Sequence, residues 1–357
     1  MTFPAYYQIG PNRYREQFGL FFEDFSVGQR FRHRPGLTLS QQDNSDETLD
    51  TYNGAMIHFD AHYAAQASWQ SPLMVSTLTV QRLMGMAGKT LGCRRDLLGF
   101  REITLSAPVF GGDTLYAESE VLALEPGHDP AVGIVTLALR GACKRGPEAP
   151  AGVREGLFAT LVCRMEIYRA SHWPDATGTA LVPAREPRFQ TYREEDGVLV
   201  EQWGLFFEDA RANETFVHAP RRSFHRADIV SHSRRAFEHA PRFQDIAWVE
   251  AHLDGRYRVP ETLVLGAVTA LTTRTFGRVS ANLGWTDIEL GPVHEGDTLE
   301  AESTVVEART SKSRPDEGIL TVDTRAHNQR GEQVCTYRRN LLVYRREART
   351  PYAAAGY

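Results

Sequence analysis

The sequence predicts an α+β fold written twice, each copy an antiparallel sheet with one apolar face curled around a single central helix. Three observations carry this. First, Gly19-Leu20-Phe21-Phe22-Glu23-Asp24 recurs as Gly204-Leu205-Phe206-Phe207-Glu208-Asp209, an offset of 204 − 19 = 185. The same offset takes Phe31 to Phe216, His33 to His218, Asp43 to Asp228, Gly92 to Gly277 and Phe100 to Trp285. After one deleted residue, Gly112-Asp113-Thr114-Leu115 returns as Gly296-Asp297-Thr298-Leu299, so the chain is a tandem duplication. Second, each copy holds one strongly apolar helical stretch. Third, the pattern after that stretch changes to period two, the mark of strands with one wet face. One apolar helix and one apolar sheet face per copy must cover each other.

Along the first copy, the aromatic-acidic entry Phe21 to Phe25 leads to an extended segment near Arg30 to Leu39. A short polar helix follows from about Gln41 to Tyr52, with Ser40 placed to accept from its first turn. The longer helix, Thr77 to Leu91, spreads Leu78, Val80, Leu83, Met84, Met86 and Ala87 around most of its circumference, which predicts burial; Thr262 to Phe276 is its counterpart. Gly85, Gly88 and Gly266 lower its helix propensity, and the expectation is that something packs closely against them. In Thr114 to Val121, Leu115, Ala117 and Val121 share one face and Tyr116, Glu118 and Glu120 the other. Val135 to Arg140, Leu157 to Tyr168, Thr298 to Val305, Ile319 to Arg325 and Val334 to Tyr344 read as further strands.

The domain boundaries that follow are 15–170 for the first copy and 201–347 for the second. Residues 171–200 contain Pro174-Asp175, Thr177-Gly178-Thr179, Pro183, Pro187 and several charges, the composition of a surface linker; residues before about 15 and after about 347 read as peripheral arms.

At 357 residues, 42% hydrophobic and 24% charged, the chain is long enough for two sizeable cores. A net charge of −5 argues against a broad nucleic-acid surface, although pairs such as Arg94-Arg95 are available to a small anionic ligand. Cys93, Cys143, Cys163 and Cys335 show neither C-x-x-C spacing nor clustering, which predicts free thiols. Met1 to Gly10 has no export-signal pattern and no 18 apolar residues run together, so the expectation is a cytoplasmic protein with no membrane span.

The chemistry-bearing stretch is Tyr52-Asn53-Gly54-Ala55-Met56-Ile57-His58-Phe59-Asp60-Ala61-His62, where a histidine, a carboxylate and an amide fall together between apolar neighbours. His58 is the candidate proton carrier, because imidazole exchanges protons near neutral pH. Asn53, five residues earlier, can orient a water but cannot take its proton. Asp60 either anchors the loop, as a cap, or orients the imidazole. His58 and His62 stand four apart, but no third ligand is evident, so neither metal nor cofactor is expected. At the 185 offset His58 meets Phe243, while Glu238, His239, Pro241 and Arg242 crowd nearby, so the second copy is expected to bind rather than react.

A central helix wrapped by an antiparallel sheet, the Gly-Asp-Thr-Leu turn into a long strand, and His58-Phe59-Asp60 ahead of the helix resemble the hotdog fold of MaoC-type enoyl-CoA hydratases. The resemblance spans roughly residues 19 to 168 and 204 to 345, a double hotdog. Within that family, Asn53-Gly-Ala-Met-Ile-His58-Phe-Asp60 and Ser280-Ala-Asn-Leu-Gly284 are most similar to the mesaconyl-CoA hydratase (β-methylmalyl-CoA dehydratase) group. The resemblance implies hydration or dehydration of a short, branched enoyl-CoA, with His58 and Asn53 activating a water and the acyl-CoA lying between the copies. MaoC-type enzymes carry Asp where Asn53 stands; the mesaconyl-CoA group shares the Asn. The helix start near Ser76 and Thr77 is then the place for donors to the thioester oxygen, and Arg242 is a candidate partner for a substrate carboxylate. The partner is thus an acyl-CoA thioester, and the chain is expected to form a homodimer. The alternatives are a hotdog acyl-CoA thioesterase and a non-catalytic acyl-CoA-binding protein.

Overall fold

The structure, a computed structural model, describes residues 3–147, 149–173, 182–348 and 350–355. It divides into two compact units, which do not follow a single cut in the chain. In chain order the strands are β1 (Tyr6–Gly10), β2 (Arg13–Glu16), β3 (Arg30–Thr38), β4 (Arg94–Leu105), β5 (Thr114–Pro126), β6 (Val132–Lys144), β7 (Gly156–Tyr168), β8 (Val182–Pro183), β9 (Tyr192–Glu195), β10 (Val198–Glu201), β11 (Thr215–Val217), β12 (Arg222–Ser223), β13 (Val279–Leu290), β14 (Thr298–Thr310), β15 (Glu317–Asn328) and β16 (Gln333–Tyr344). The helices are α1 (Gln41–Asp50), α2 (Ala61–Ala64), α3 (Ser76–Met86), α4 (Gly88–Leu91), α5 (Arg226–Arg235), α6 (Ile246–His252), α7 (Glu261–Leu271) and α8 (Pro351–Ala355).

The unit built on the first copy has a seven-stranded sheet in the order β4-β7-β6-β5-β3-β10-β9, antiparallel throughout except where β10 meets β3. Its apolar face is the one the alternation in β5 predicts: Leu115, Ala117 and Val121 are buried, as are Leu137, Leu139, Leu161 and Cys163. α3 packs on β3, β5 and β6 through Leu78 and Leu83, giving the sheet-around-helix arrangement. The predicted single helix to Leu91 is instead two, with Ala87 (ψ 2°) between α3 and α4.

The close approach expected at the helix glycines is absent: a Cβ on Gly85, Gly88 or Gly266 would meet nothing within 4 Å. It lies across the interface instead. A Cβ on Gly141 of β6 would come 2.6 Å from Phe158 and 2.7 Å from Leu83, so this strand position must be bare for α3 to seat.

The unit built on the second copy repeats the plan, with strand order β13-β16-β15-β14-β11-β2-β1-β8 and β12 paired to β14. α7 packs on β13, β14 and β16 through Val264 and Val268. The offset of 185 holds element by element: α1 to α5, the 3-10 turn Met56–His58 to Pro241–Phe243, and α3 to α7. The Gly-Asp-Thr-Leu turns are also alike. Asp113 and Asp297 are fully buried, accept from Phe110 N and His294 N at 3.0 Å, and are each paired with an arginine, Arg145 and Arg330.

The boundaries 15–170, 171–200 and 201–347 need revision, because each copy's leading hairpin is built into the other copy's unit. The β1-β2 hairpin, read above as an arm, belongs to the unit of the second copy; β9-β10, read above as linker, belongs to the unit of the first. Buried Tyr6, Tyr14, Tyr192, Val198 and Val200 fix these hairpins to their sheets, a pattern hidden among Pro183, Pro187 and the surrounding charges. Pro174-Asp175 and Thr177-Gly178-Thr179 lie outside the described residues. All four cysteines are free and buried. Among the described residues no helix is long and apolar enough to cross a membrane.

Candidate active site

α1 starts as expected: Ser40 Oγ accepts from Asp43 N at 3.1 Å, and Asp43 Oδ2 accepts from Ser40 N at 2.8 Å, a reciprocal cap. It ends at a left-handed residue, Tyr52 (φ 55°), which turns the chain into the candidate stretch. There Asn53 Oδ1 accepts from Ala55 N at 3.0 Å, a local turn closed by the side chain. The amide oxygen of Asn53 is therefore occupied, while its Nδ2 has no bond among the described residues. No hydrogen bond joins Asn53 to His58.

His58 closes the 3-10 turn that follows and is half-buried. Its Nδ1 lies 2.7 Å from the Leu73 carbonyl oxygen. A carbonyl can only accept, so Nδ1 carries the proton, and in the neutral ring Nε2 is left with its lone pair. Nε2 has no bond among the described residues. The imidazole is thus held by one edge in the tautomer a general base requires.

Asp60 is a cap: it precedes α2, and its Oδ1 accepts from Tyr63 N at 3.0 Å. The second copy repeats this contact, with Asp245 Oδ1 accepting from Trp248 N at 3.0 Å, where no histidine is present. Of the two roles expected for Asp60, the geometry gives the anchoring one. His62 is exposed, and among the described residues no group of three His, Cys, Asp or Glu side chains comes together as a metal site.

Ser76 and Thr77 form the exposed first turn of α3, which has no side-chain cap. The first N–H groups of a helix lack intrahelical acceptors, so these two present donors outward. Ser76 and Leu73 border a mostly apolar cleft of about 340 Å³ whose walls include Trp69, Leu105, Pro108 and Phe158. Leu73 is therefore both the residue that holds His58 and part of the wall of the cleft that reaches the start of α3.

A residue the sequence reading missed joins these parts. Asn44, on the inner side of α1, is fully buried. Its Nδ2 donates to His58 O at 2.8 Å and to Leu73 O at 3.1 Å, with Gln41 Oε1 at 3.3 Å, and its Oδ1 accepts from Val75 N at 2.8 Å. An asparagine inside a polar, weakly amphipathic helix gives no periodic signal; the difference between Asn44 and Ile229, its equivalent in the second copy, was the available one.

The second copy lacks the arrangement, and the offset of 185 holds through this turn. Phe243 occupies the place of His58 and is buried. Glu261, 185 residues after Ser76, occupies the first turn of α7, and Arg242 Nη2 lies 3.1 Å from its Oε2. Arg242 is thus already paired and is not a free cation for a substrate carboxylate. Arg95 is likewise engaged, with Glu166 and Asp129.

A family model described as mesaconyl-CoA hydratase matches residues 10–152 and 190–356. The mesaconyl-CoA hydratase of Cereibacter sphaeroides is 35% identical over 159 residues, 42% of this chain and 44% of that protein. The mesaconyl-CoA hydratase of Haloarcula hispanica is 43% identical over 77 residues, 21% of this chain and 22% of its own. In both matches the aligned stretch spans less than half of the relative's length. Among solved structures, a MaoC-like dehydratase from Rhodospirillum rubrum is 28% identical, covering 40% of this chain and 99% of that one with a TM-score of 0.36. A Mycobacterium tuberculosis protein described as a double hotdog is 22% identical, covering 91% and 99% with a TM-score of 0.37.

Proposed function

The chain belongs to the mesaconyl-CoA hydratase family, and from that premise we propose that it is a hydro-lyase that adds water to, or removes it from, a short, branched enoyl-CoA of the mesaconyl-CoA/β-methylmalyl-CoA type. The observation that carries the reading is the Nδ1-to-carbonyl bond of His58 at 2.7 Å, which leaves Nε2 with its lone pair and ties the ring to Leu73, three residues ahead of the start of α3.

In the forward direction Nε2 of His58 takes a proton from water, and the water oxygen bonds to Cβ of the enoyl thioester. The π electrons move through Cα to the thioester oxygen, giving an enolate. Backbone N–H groups of Ser76 and Thr77 receive the charge on that oxygen. His58 then returns its proton to Cα, the enolate collapses to the 3-hydroxyacyl thioester, and the base is regenerated. Asn53 contributes through Nδ2, which can donate to the water oxygen while Oδ1 holds the turn. Asp60 fixes the loop and takes no part in proton transfer. The second copy, with Phe243, Ile229 and an internally paired Glu261, contributes binding surface. A cytoplasmic location is part of this reading, supported by the free thiols, and so is a homodimer, which sedimentation tests.

The experiment is to add purified protein to mesaconyl-CoA and follow enoyl-thioester absorbance and free thiol together. Hydration lowers the absorbance with no thiol released; release of thiol would mean hydrolysis instead. Full activity in His58→Ala would end the proposal.

A further inference from the structure

We propose that Asn44 is the positioning residue of this site: one buried amide fixes the carbonyl that sets the His58 tautomer and, with its other end, the start of the helix that receives the oxyanion. The inference rests on the reading of His58 as the base.

The partners leave Asn44 a single orientation. Two of them, His58 O and Leu73 O, are carbonyls and can only accept; the third, Val75 N, can only donate. The amide must therefore point Nδ2 at the carbonyls and Oδ1 at Val75, and no other uncharged side chain of this size offers two donors and an acceptor in that plane. Leu73 O thereby receives from Asn44 on one side and from His58 Nδ1 on the other, at 3.1 and 2.7 Å. Met74 N, which donates to Val109 O at 2.9 Å, holds the same peptide, and without the Asn44 contact the carbonyl loses the donor that sets its position against the imidazole. Val75 immediately precedes α3, so the bond from its N–H sets where Ser76 and Thr77 place their own N–H groups. Base and oxyanion donors thus share one anchor, and a shift at Asn44 moves both together.

The duplication supplies the internal comparison. Asn44 and Ile229 occupy the same place on α1 and α5, and both are fully buried. The neighbouring Thr48 and Ser233 each turn their hydroxyl to the carbonyl four residues back, at 2.5 and 2.8 Å, so the two helices keep the same bond beside this position. The amide is kept where the histidine is kept, and it is aliphatic where the histidine is Phe243. The second copy also has Pro260 where Val75 stands, so it lacks both the N–H that Asn44 Oδ1 receives and the imidazole, and the tests must separate the two roles.

The tests are Asn44→Ile, which imports the second copy's residue, and Asn44→Asp, which keeps the shape but sets oxygen against two carbonyls. Ring 15N shifts of His58 report its tautomer without reference to turnover. In the wild type they are expected to show the proton on Nδ1, and in a folded Asn44 variant a mixture. With mesaconyl-CoA, kcat is expected to fall on the order of 100-fold while KM stays within about twofold. In a His58→Ala background the Asn44 change should cost clearly less than in the wild type, because of the two groups it positions only the oxyanion donors remain. A structural role would lower activity equally in both backgrounds. If His58→Ala is inactive but folded Asn44→Asp or Asn44→Ile keeps wild-type kcat and an unchanged tautomer, this inference fails and the function stands. Should His58→Ala be fully active, the functional reading itself fails.

Discussion

Glu201 Oε1 lies 3.0 Å from Nδ1 of His33, with both side chains fully buried, and the contact recurs 185 residues away between Glu16 and His218 at 2.9 Å. Each glutamate also accepts from a backbone N–H after its histidine, Arg34 or Ala219, at 2.9 Å, and from a buried threonine, Thr90 or Thr275. The other histidine nitrogen meets Ser119 or Ser303 at 2.9 Å. Since each glutamate ends an exchanged hairpin, these two clusters are what fasten β9-β10 and β1-β2 to their sheets.

Acid should therefore loosen both hairpins. Burial alone would raise the pKa of Glu201 and Glu16, but attraction to His33 and His218, with the hydrogen bonds they accept, outweighs it and holds both below the ordinary carboxylate range. A carboxylate depressed in the folded state contributes stability that is complete above its unfolded pKa, about 4.3, and is lost as pH falls through the folded value. Urea midpoints measured from pH 7 to 3 should be flat above about 5 and fall below it. Glu201→Gln should cost about 3 kcal/mol at pH 7 and flatten part of the acid slope. A wild-type slope retained in a Glu16→Gln, Glu201→Gln double variant would refute the assignment.

His58→Ala should lower kcat on mesaconyl-CoA by about 10² to 10⁴, the range for loss of a general base, with little effect on melting because the ring is half-buried and makes one side-chain bond. Arg242→Ala is the matching control. Its ion pair with Glu261 is partly exposed and internal to the second copy, so KM for the same substrate should change by less than about twofold. A large rise in KM in Arg242→Ala would return that arginine to the substrate.

Asp60 separates a cap from a catalyst. If its carboxylate serves only Tyr63 N, Asp60→Ser, which also caps, should keep most of the activity, and Asp60→Ala should cost about 1 kcal/mol of stability. Rates measured well below the melting temperature should fall far less than for His58→Ala. Comparable losses in Asp60→Ser and His58→Ala would mean that the carboxylate acts on the imidazole after all.

The duplication was legible from one register repeated 185 residues on, and the wet and dry faces of β5, the Ser40 cap and the start of α3 to within one residue because each depends on residues close in the chain. β4 and β13 were not seen, since register shifts at Arg94/Asp96, Leu97/Gly99 and Phe100/Glu102, and again along β13, break the period of two on which strand reading relies. The hairpin exchange was hidden for a different reason: Tyr192 to Glu201 carries no alternation and its charges read as linker, so neither the hairpin nor the sheet edge that accepts it shows locally. At the site, His58 and Asp60 stood out as chemical types in an apolar stretch. Asn44 did not, because its importance comes from Leu73 and Val75, some thirty residues on in the chain.

The seat of α3 on its sheet gives the last prediction. β6 can lie close to the helix because Gly141 has no side chain: a single methyl there would stand 2.6 to 2.8 Å from the Phe158 ring and both Leu83 methyls. All three residues are within a packed core, with Leu83 and Phe158 buried, so neither can swing aside without disturbing a neighbour. Gly141→Ala should therefore destabilise the first-copy unit by about 1 to 3 kcal/mol, despite the usual gain from replacing a strand glycine. Because Ser76 starts the same helix, the strain should also reach the site, so that kcat falls at temperatures where the protein remains folded. Pairing the change with Leu83→Ala, which opens room for the added methyl, should recover part of both losses relative to the sum of the single changes. Additive effects of the two substitutions would show that the helix is not seated on Gly141.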